Sequence, residues 1–129
     1  MLDSQGLWSV ATNTSEDANA ALDLSRRAGV PVLVPAVVLA ETLRGSPEDA
    51  RANQVLKQLA VEPITDRLGR LAAFLKGAAG MTGVAATIDA LVVAVSIAYG
   101  GGTILTSDPD DIKRLATGAP EIRIRAVRV

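Results

Sequence analysis

The run Gly101-Gly-Thr-Ile-Leu-Thr-Ser-Asp-Pro-Asp-Asp-Ile-Lys-Arg-Leu115 changes character at its centre. Its first half is short and β-branched behind glycines, as in a buried strand of a parallel sheet, and Pro109 stands where a helix would open. Thr106, Ser107, Asp108, Asp110 and Asp111 therefore gather where a strand hands over to a helix N-terminus. Ligands of open α/β sheets bind outside the carboxyl ends of the strands, so this junction is a candidate site by position. The same residues have a plainer use. Ser107 or Asp108 could cap the helix, worth about 1 kcal/mol, with Asp110 and Asp111 favourable to its dipole.

Downstream, Glu121–Val129 closes the chain as a half-exposed strand whose alternation sets isoleucine and valine on one side and arginine mostly on the other. Upstream, the bend Gly80-Met-Thr-Gly83 leads into an apolar helix over Thr87–Ala98. Thr65 and Asp66 begin a helix towards Gly77 with Leu68, Leu71, Ala72 and Leu75 on one face, and Pro63 makes Val61–Ile64 an edge strand. Ser46-Pro47-Glu48-Asp49 opens a helix through Leu59, its acids in the first turn as the dipole prefers. Val30–Val34 reads as a buried strand, Pro35 restarts a helix over Ala36–Arg44, and Gly45 ends it. Thr14-Ser15-Glu16-Asp17 starts a helix that presents Ala18, Ala21, Leu22 and Ser25 together and stops at Gly29. At the start, Met1-Leu2-Asp3 is the tail of a short first strand, Ser4 caps a helix over Gly6–Ala11, and Trp8 is expected in the core. With strand and helix alternating and no repeat or linker, the chain is predicted to be one domain over 1–129, an α/β layered sandwich with a mostly parallel sheet.

A chain of 129 residues can bury roughly two thirds of its unfolded surface, enough for a core without crosslinks. Cysteine is absent, which excludes disulfides, a thiolate nucleophile and sulfur-ligated zinc, and suits a reducing cytoplasm. Histidine is absent too, which removes serine–histidine hydrolases, histidine-pair ribonucleases and imidazole zinc sites. Catalysis would have to run on carboxylates, hydroxyls, lysine or a hard metal ion. The 13 basic and 14 acidic residues give no broad positive field, although acids gathered around a divalent ion would leave the arginines to set the outer field. Trp8, Phe74 and Tyr99 are too few for an array of base-stacking platforms. The most apolar run, Ala86–Tyr99, is shorter than the ~20 residues of a membrane span and carries Asp89, which reads as a buried helix.

Four acids sit where burial would make them costly. Asp3 and Asp108 end strands, Glu41 is the one acid in an apolar helix, and Asp89 is the one charge between Val84 and Gly100. Each has a structural alternative: a turn for Asp3, an i+3 pair with Arg44 for Glu41, a first-turn dipole role for Asp89 and a cap for Asp108. If the first and fourth strands are neighbours, however, Asp3 and Asp108 face each other across a crevice, with Glu41 and Asp89 aimed in from the helices. Four carboxylates gathered without histidine or lysine would repel one another unless a cation intervened, and all-oxygen ligation selects magnesium or manganese over zinc.

The segments Leu2-Asp3-Ser4, Val34-Pro-Ala-Val-Val-Leu-Ala-Glu41, Ile88-Asp-Ala-Leu-Val-Val-Ala94 and Ile104-Leu-Thr-Ser-Asp-Pro-Asp-Asp-Ile112 together resemble the PIN-domain family, and within it the VapC-type toxin ribonucleases of type II toxin–antitoxin pairs. The resemblance departs from the family pattern in that almost nothing precedes Asp3, and in that Gln5 stands where a small side chain is common. It implies a three-layer α/β/α sandwich with a mostly parallel central sheet. It places the family's acidic quartet on Asp3, Glu41, Asp89 and Asp108, with Asp111 as a further acid and Ser4 and Thr106 as polar support. By the same resemblance, Asp3, Asp89 and Asp108 would hold one or two Mg²⁺ or Mn²⁺ ions, and Glu41 would ligate or orient the water that hydrolyses the RNA phosphodiester. A cognate VapB-like antitoxin and a homodimer are implied as well, in the cytoplasm and without a membrane. The competing reading is a PIN-like domain that binds or scaffolds without catalysis.

Overall fold

In the computed structural model, which describes residues 1–129, the short apolar runs form parallel strands and the longer ones pack around them as helices. In chain order these are α1 (Ser4–Thr12), α2 (Glu16–Ala28), β1 (Leu33–Pro35), α3 (Ala36–Thr42), a single 3₁₀ turn (Pro47–Asp49) and α4 (Ala50–Leu56). They continue as β2 (Ala60–Glu62), α5 (Asp66–Ala79), α6 (Val84–Ala98), β3 (Gly102–Thr106), α7 (Pro109–Ala116) and β4 (Ile124–Arg128). β1 pairs in parallel with β2, and β3 with β4. Met1–Asp3 joins the two pairs. Leu2 bridges Leu105 in parallel, the Leu105 N–H donates to Met1 O at 3.0 Å, and on the other side the Leu2 N–H donates to Leu33 O at 3.0 Å.

The N-terminal segment thus lies at the centre of the sheet although only three residues long. Hydrogen bonds on both sides, with Leu2 buried, hold in place what its length alone could not. α6 has consecutive buried residues from Val92 to Ser96, the mark of a helix covered all round, whereas α5 buries the stripe Leu68, Ala72 and Leu75. Ser15 and Thr65 cap α2 and α5 through the N–H groups of Ala18 and Leu68, as their sequences indicate. Gly101 stands at φ 95° where a Cβ would lie 2.3 Å from the Arg123 carbonyl oxygen, so glycine before β3 is what lets the approach to β4 pass.

Several boundaries differ from expectation. β1 begins at Leu33 rather than Val30, because Pro31 has no N–H for the ladder and Val30 is exposed. α3 stops at Thr42, so Arg44 lies beyond it and the proposed Glu41–Arg44 helical pair does not form. The helix expected from Ser46 to Leu59 is a 3₁₀ turn followed by a short α4 ending at Leu56. β2 lies over Ala60–Glu62, with Pro63 just outside it. Trp8 is 45% exposed on α1, not core. The last strand is shorter than Glu121–Val129, and its sides are mixed: Arg125 and Val127 share one face, and Ile124, Ala126 and Arg128 the other, because the apolar pattern changes phase at Ala126. No single helix is long and apolar enough to cross a membrane.

Candidate active site

Because Leu2 pairs with Leu105, Asp3 and Asp108 end neighbouring strands, and each is followed by a helix that it caps. Asp3 Oδ1 accepts from the Gly6 N–H at 2.7 Å, and Asp108 Oδ1 accepts from the Asp111 N–H at 3.3 Å. Each cap engages one carboxylate oxygen and leaves the second free of it. Capping and a site role are therefore compatible at the same residue. Ser4, expected as the cap, is instead the first residue of α1, and its hydroxyl donates to Glu41 Oε2 on α3.

α6 begins at Val84, a turn earlier than expected, so Asp89 lies inside the helix rather than in its first turn. It faces a cleft of about 320 Å³ at the carboxyl ends of Met1–Asp3 and β3. The seven residues that the family resemblance assigns all line this cleft, Asp3, Ser4, Glu41, Asp89, Thr106, Asp108 and Asp111, whereas Asp110 of the same acid cluster does not and pairs with Lys113 at 3.1 Å. Gln5 and Ser107 join them, with Ala85 and Ile88 as an apolar wall, and no lysine or arginine is among the lining residues. The expectation that all four acids are costly through burial is corrected. Asp3 is 6% exposed and Asp89 half-buried, while Glu41 and Asp108 are open to solvent.

The electrostatics record the convergence. Burial pushes the Asp89 carboxyl up to about 6, and the charges of Asp3, Asp111, Glu41 and Asp108 push in the same direction. Burial also raises Asp3, against the Thr106 hydroxyl and the Gly6 and Gln5 N–H groups, which favour its charged form; Glu41 adds a smaller rise. Thr106 is itself fixed by the Asp108 N–H, which donates to its Oγ1 at 3.0 Å.

No three of the carboxylates stand close enough together to make a ready-made ligand set, an arrangement that like charges resist without a cation between them. The donor chemistry nonetheless fits a hard divalent ion. It is oxygen throughout and free of basic side chains, and magnesium keeps several waters and needs only one or two carboxylates. A larger cavity of about 750 Å³ lies by α2 and the starts of β3 and β4. Its lining is mainly apolar, with Asp17 its one carboxylate and Arg125 its one cationic side chain.

Two supports escaped the sequence reading. Asp49, read there as a dipole partner, is 5% exposed and accepts from the backbone N–H groups of Arg44, Gly45 and Ser46 at 2.7–3.2 Å. Burial works against its charge, but the N–H groups of Ser46, Arg44 and Gly45 outweigh it and hold the carboxyl below its usual value. This pins the turn just beyond Glu41. The signal was the spacing Ser46-Pro-Glu-Asp49, a serine with an acid three residues on. The second support, Arg128, donates to the Ser107 carbonyl oxygen at 2.6 Å; nothing in its sequence context marks it.

A comparison with curated protein sequences finds no match. Among solved structures, the fold is similar to a chain in the crystal structure of VapBC2 from Rickettsia felis bound to a DNA fragment from their promoter. The TM-score is 0.73 at 16% identity, over 98% of this chain and 97% of that one. The family model described as "PIN domain" matches residues 1–118. That match runs unbroken through both capping aspartates and both acid-bearing helices, and the chain belongs to the PIN domain family.

Proposed function

We propose that this protein is a metal-dependent endoribonuclease, the VapC-type toxin of a toxin–antitoxin pair. The observation that carries the reading is that Asp3, Glu41, Asp89, Asp108 and Asp111 line one cleft at the carboxyl ends of the strands with no basic side chain among them. Asp3, Asp89 and Asp108 are the residues to hold Mg²⁺ or Mn²⁺. When bound, the ion supplies the positive charge that offsets the acids and polarises a phosphodiester. Glu41, held by the Ser4 hydroxyl, orients the attacking water, a task that in this histidine-free chain falls to a carboxylate. The Thr106 hydroxyl favours the charged form of Asp3, against the burial that raises its carboxyl. Attack by water rather than by the 2′-hydroxyl leaves a 3′-hydroxyl and a 5′-phosphate.

A VapB-like antitoxin as partner belongs to the same proposal, supported by the fold's similarity to the Rickettsia felis complex; a homodimer and action in the cytoplasm are proposed with it from the family resemblance alone. The non-catalytic alternative draws on one observation, that no three carboxylates form a closed ligand set. The deciding experiment incubates total RNA with wild type and with Asp89→Asn, with Mg²⁺, Mn²⁺ or chelator, and maps the product ends. Cleavage by wild type alone, dependent on the ion and giving 5′-phosphates, is expected. Cleavage that persists in chelator overturns the metal mechanism, and a wild type inert with both ions supports the binding-domain reading.

A further inference from the structure

The lining of the acid cleft has no basic side chain, so beyond the proposed ion, charge to meet a polyanionic substrate can come only from the rim. One arginine is built into that rim. Arg128 pairs with Thr106 in the β3–β4 register, the next residue's N–H donates to Thr106 O at 2.9 Å, and the Arg128 guanidinium donates to the carbonyl oxygen of Ser107 at 2.6 Å. Thr106 and Ser107 both line the cleft, so the guanidinium lies over the turn that presents Asp108. Arg128 is exposed and takes part in none of the molecule's three ion pairs. A guanidinium has five N–H donors, and this contact uses one. Its planar fork suits a phosphate, and its anchored end lowers the entropy lost on gripping one.

We propose that Arg128 is the substrate-positioning residue of the cleft, holding a backbone phosphate of the RNA beside the scissile bond while braced on Ser107. This rests on the nuclease reading above. Arg125 provides an internal control: it lies on the same strand with the same charge, but on the opposite face and beside the larger cavity.

The test compares Arg128→Gln with Arg125→Gln in cleavage of a single-stranded RNA. Binding of a labelled single-stranded RNA is measured in parallel in the Asp108→Asn background, each across a salt series. Arg128→Gln is expected to raise KM several-fold and leave kcat within about twofold. It should also flatten the slope of log affinity against log salt by about 0.7, one phosphate contact to a single strand, while Arg125→Gln moves none of these. Equal losses in the two variants would reduce Arg128 to general charge and overturn the proposal. So would a fall in kcat with KM and salt slope intact, which is what a purely structural brace predicts. A wild type that does not cleave refutes the nuclease reading, and the binding comparison still decides the role of Arg128.

Discussion

The two strand-to-helix junctions of the cleft share one plan and differ in room. In both, an aspartate ends a strand, caps the next helix through one oxygen and lines the cleft: Asp3 before α1, Asp108 before α7. Three residues on, the plans part. At the first junction that position is Gly6, where a Cβ would lie 2.6 Å from the Leu105 carbonyl oxygen. At the second it is Asp111, whose side chain joins the cleft. Asp3 lies between two strands and is buried, while Asp108 is exposed. The inner junction therefore provides a fixed, costly carboxylate, and the outer one provides two accessible carboxylates. Under the proposed function, holding a cation would fall to the first and admitting a long polyanion to the second.

The largest expected effect tests whether the junctions serve one site. Asp3→Asn and Asp108→Asn should each reduce RNA cleavage by more than about a hundredfold, the upper range for groups that only support a metal's ligands. Because asparagine caps as well as aspartate, the folded state should survive both changes. Initial rates with Mg²⁺, set beside thermal melts, check this, and loss at one junction only would separate the two. Next is Gly6→Ala, which should cost about 1–3 kcal/mol in urea denaturation, since its methyl meets backbone. Asp111→Ala at the matching outer position should stay within about 0.5 kcal/mol. Equal costs at the two positions would erase the contrast in room. Smaller again, Ser4→Ala should slow cleavage by about tenfold through the loosened Glu41, with stability within about 0.5 kcal/mol. The matching outer residue is Pro109, which has no hydroxyl to lose.

How far the sequence revealed this pair depends on which forces are local. The outer junction was readable because a β-branched run, a proline and an acid cluster are short-range signals, and Asp108 does cap the helix that Pro109 opens. The inner junction was legible as an acid near a strand end, but not as the middle of the sheet. Its three residues are held by Leu33 and Leu105, far away in sequence, and no local propensity encodes those bonds. For the same reason the sequence points to Ser4 for the cap that Asp3 makes. The seven cleft residues were all recognisable once the family resemblance supplied their order, whereas Asp49 and Arg128 act through backbone atoms of residues that only the fold brings near. The phase of β4 differs from the alternation expected of it because the change at Ala126 places Arg125 and Val127 on one side.

The subtlest way to sharpen the contrast is by pH, with Asp89 as the probe. Its folded pKa of about 6 lies above the ordinary 3.8, so between those values the native state binds more protons than the unfolded chain, and stability contributed at low pH is lost as pH rises through the window. In chelator, the melting temperature of wild type minus that of Asp89→Asn should therefore fall from pH 4 to pH 6 and level off above. Asp49, held below its usual value, contributes stability that is lost only as pH falls below the ordinary 3.8, and it cancels in the difference. After burial, Asp3 is the strongest of the charges acting on Asp89 and Asp108 the weakest of the four. Asp3→Asn should thus flatten the fall more than Asp108→Asn does, in melts of the corresponding double variants. The opposite order would place Asp89 closer to the outer junction, and the cleft would then be organised around the exposed aspartate rather than the buried one.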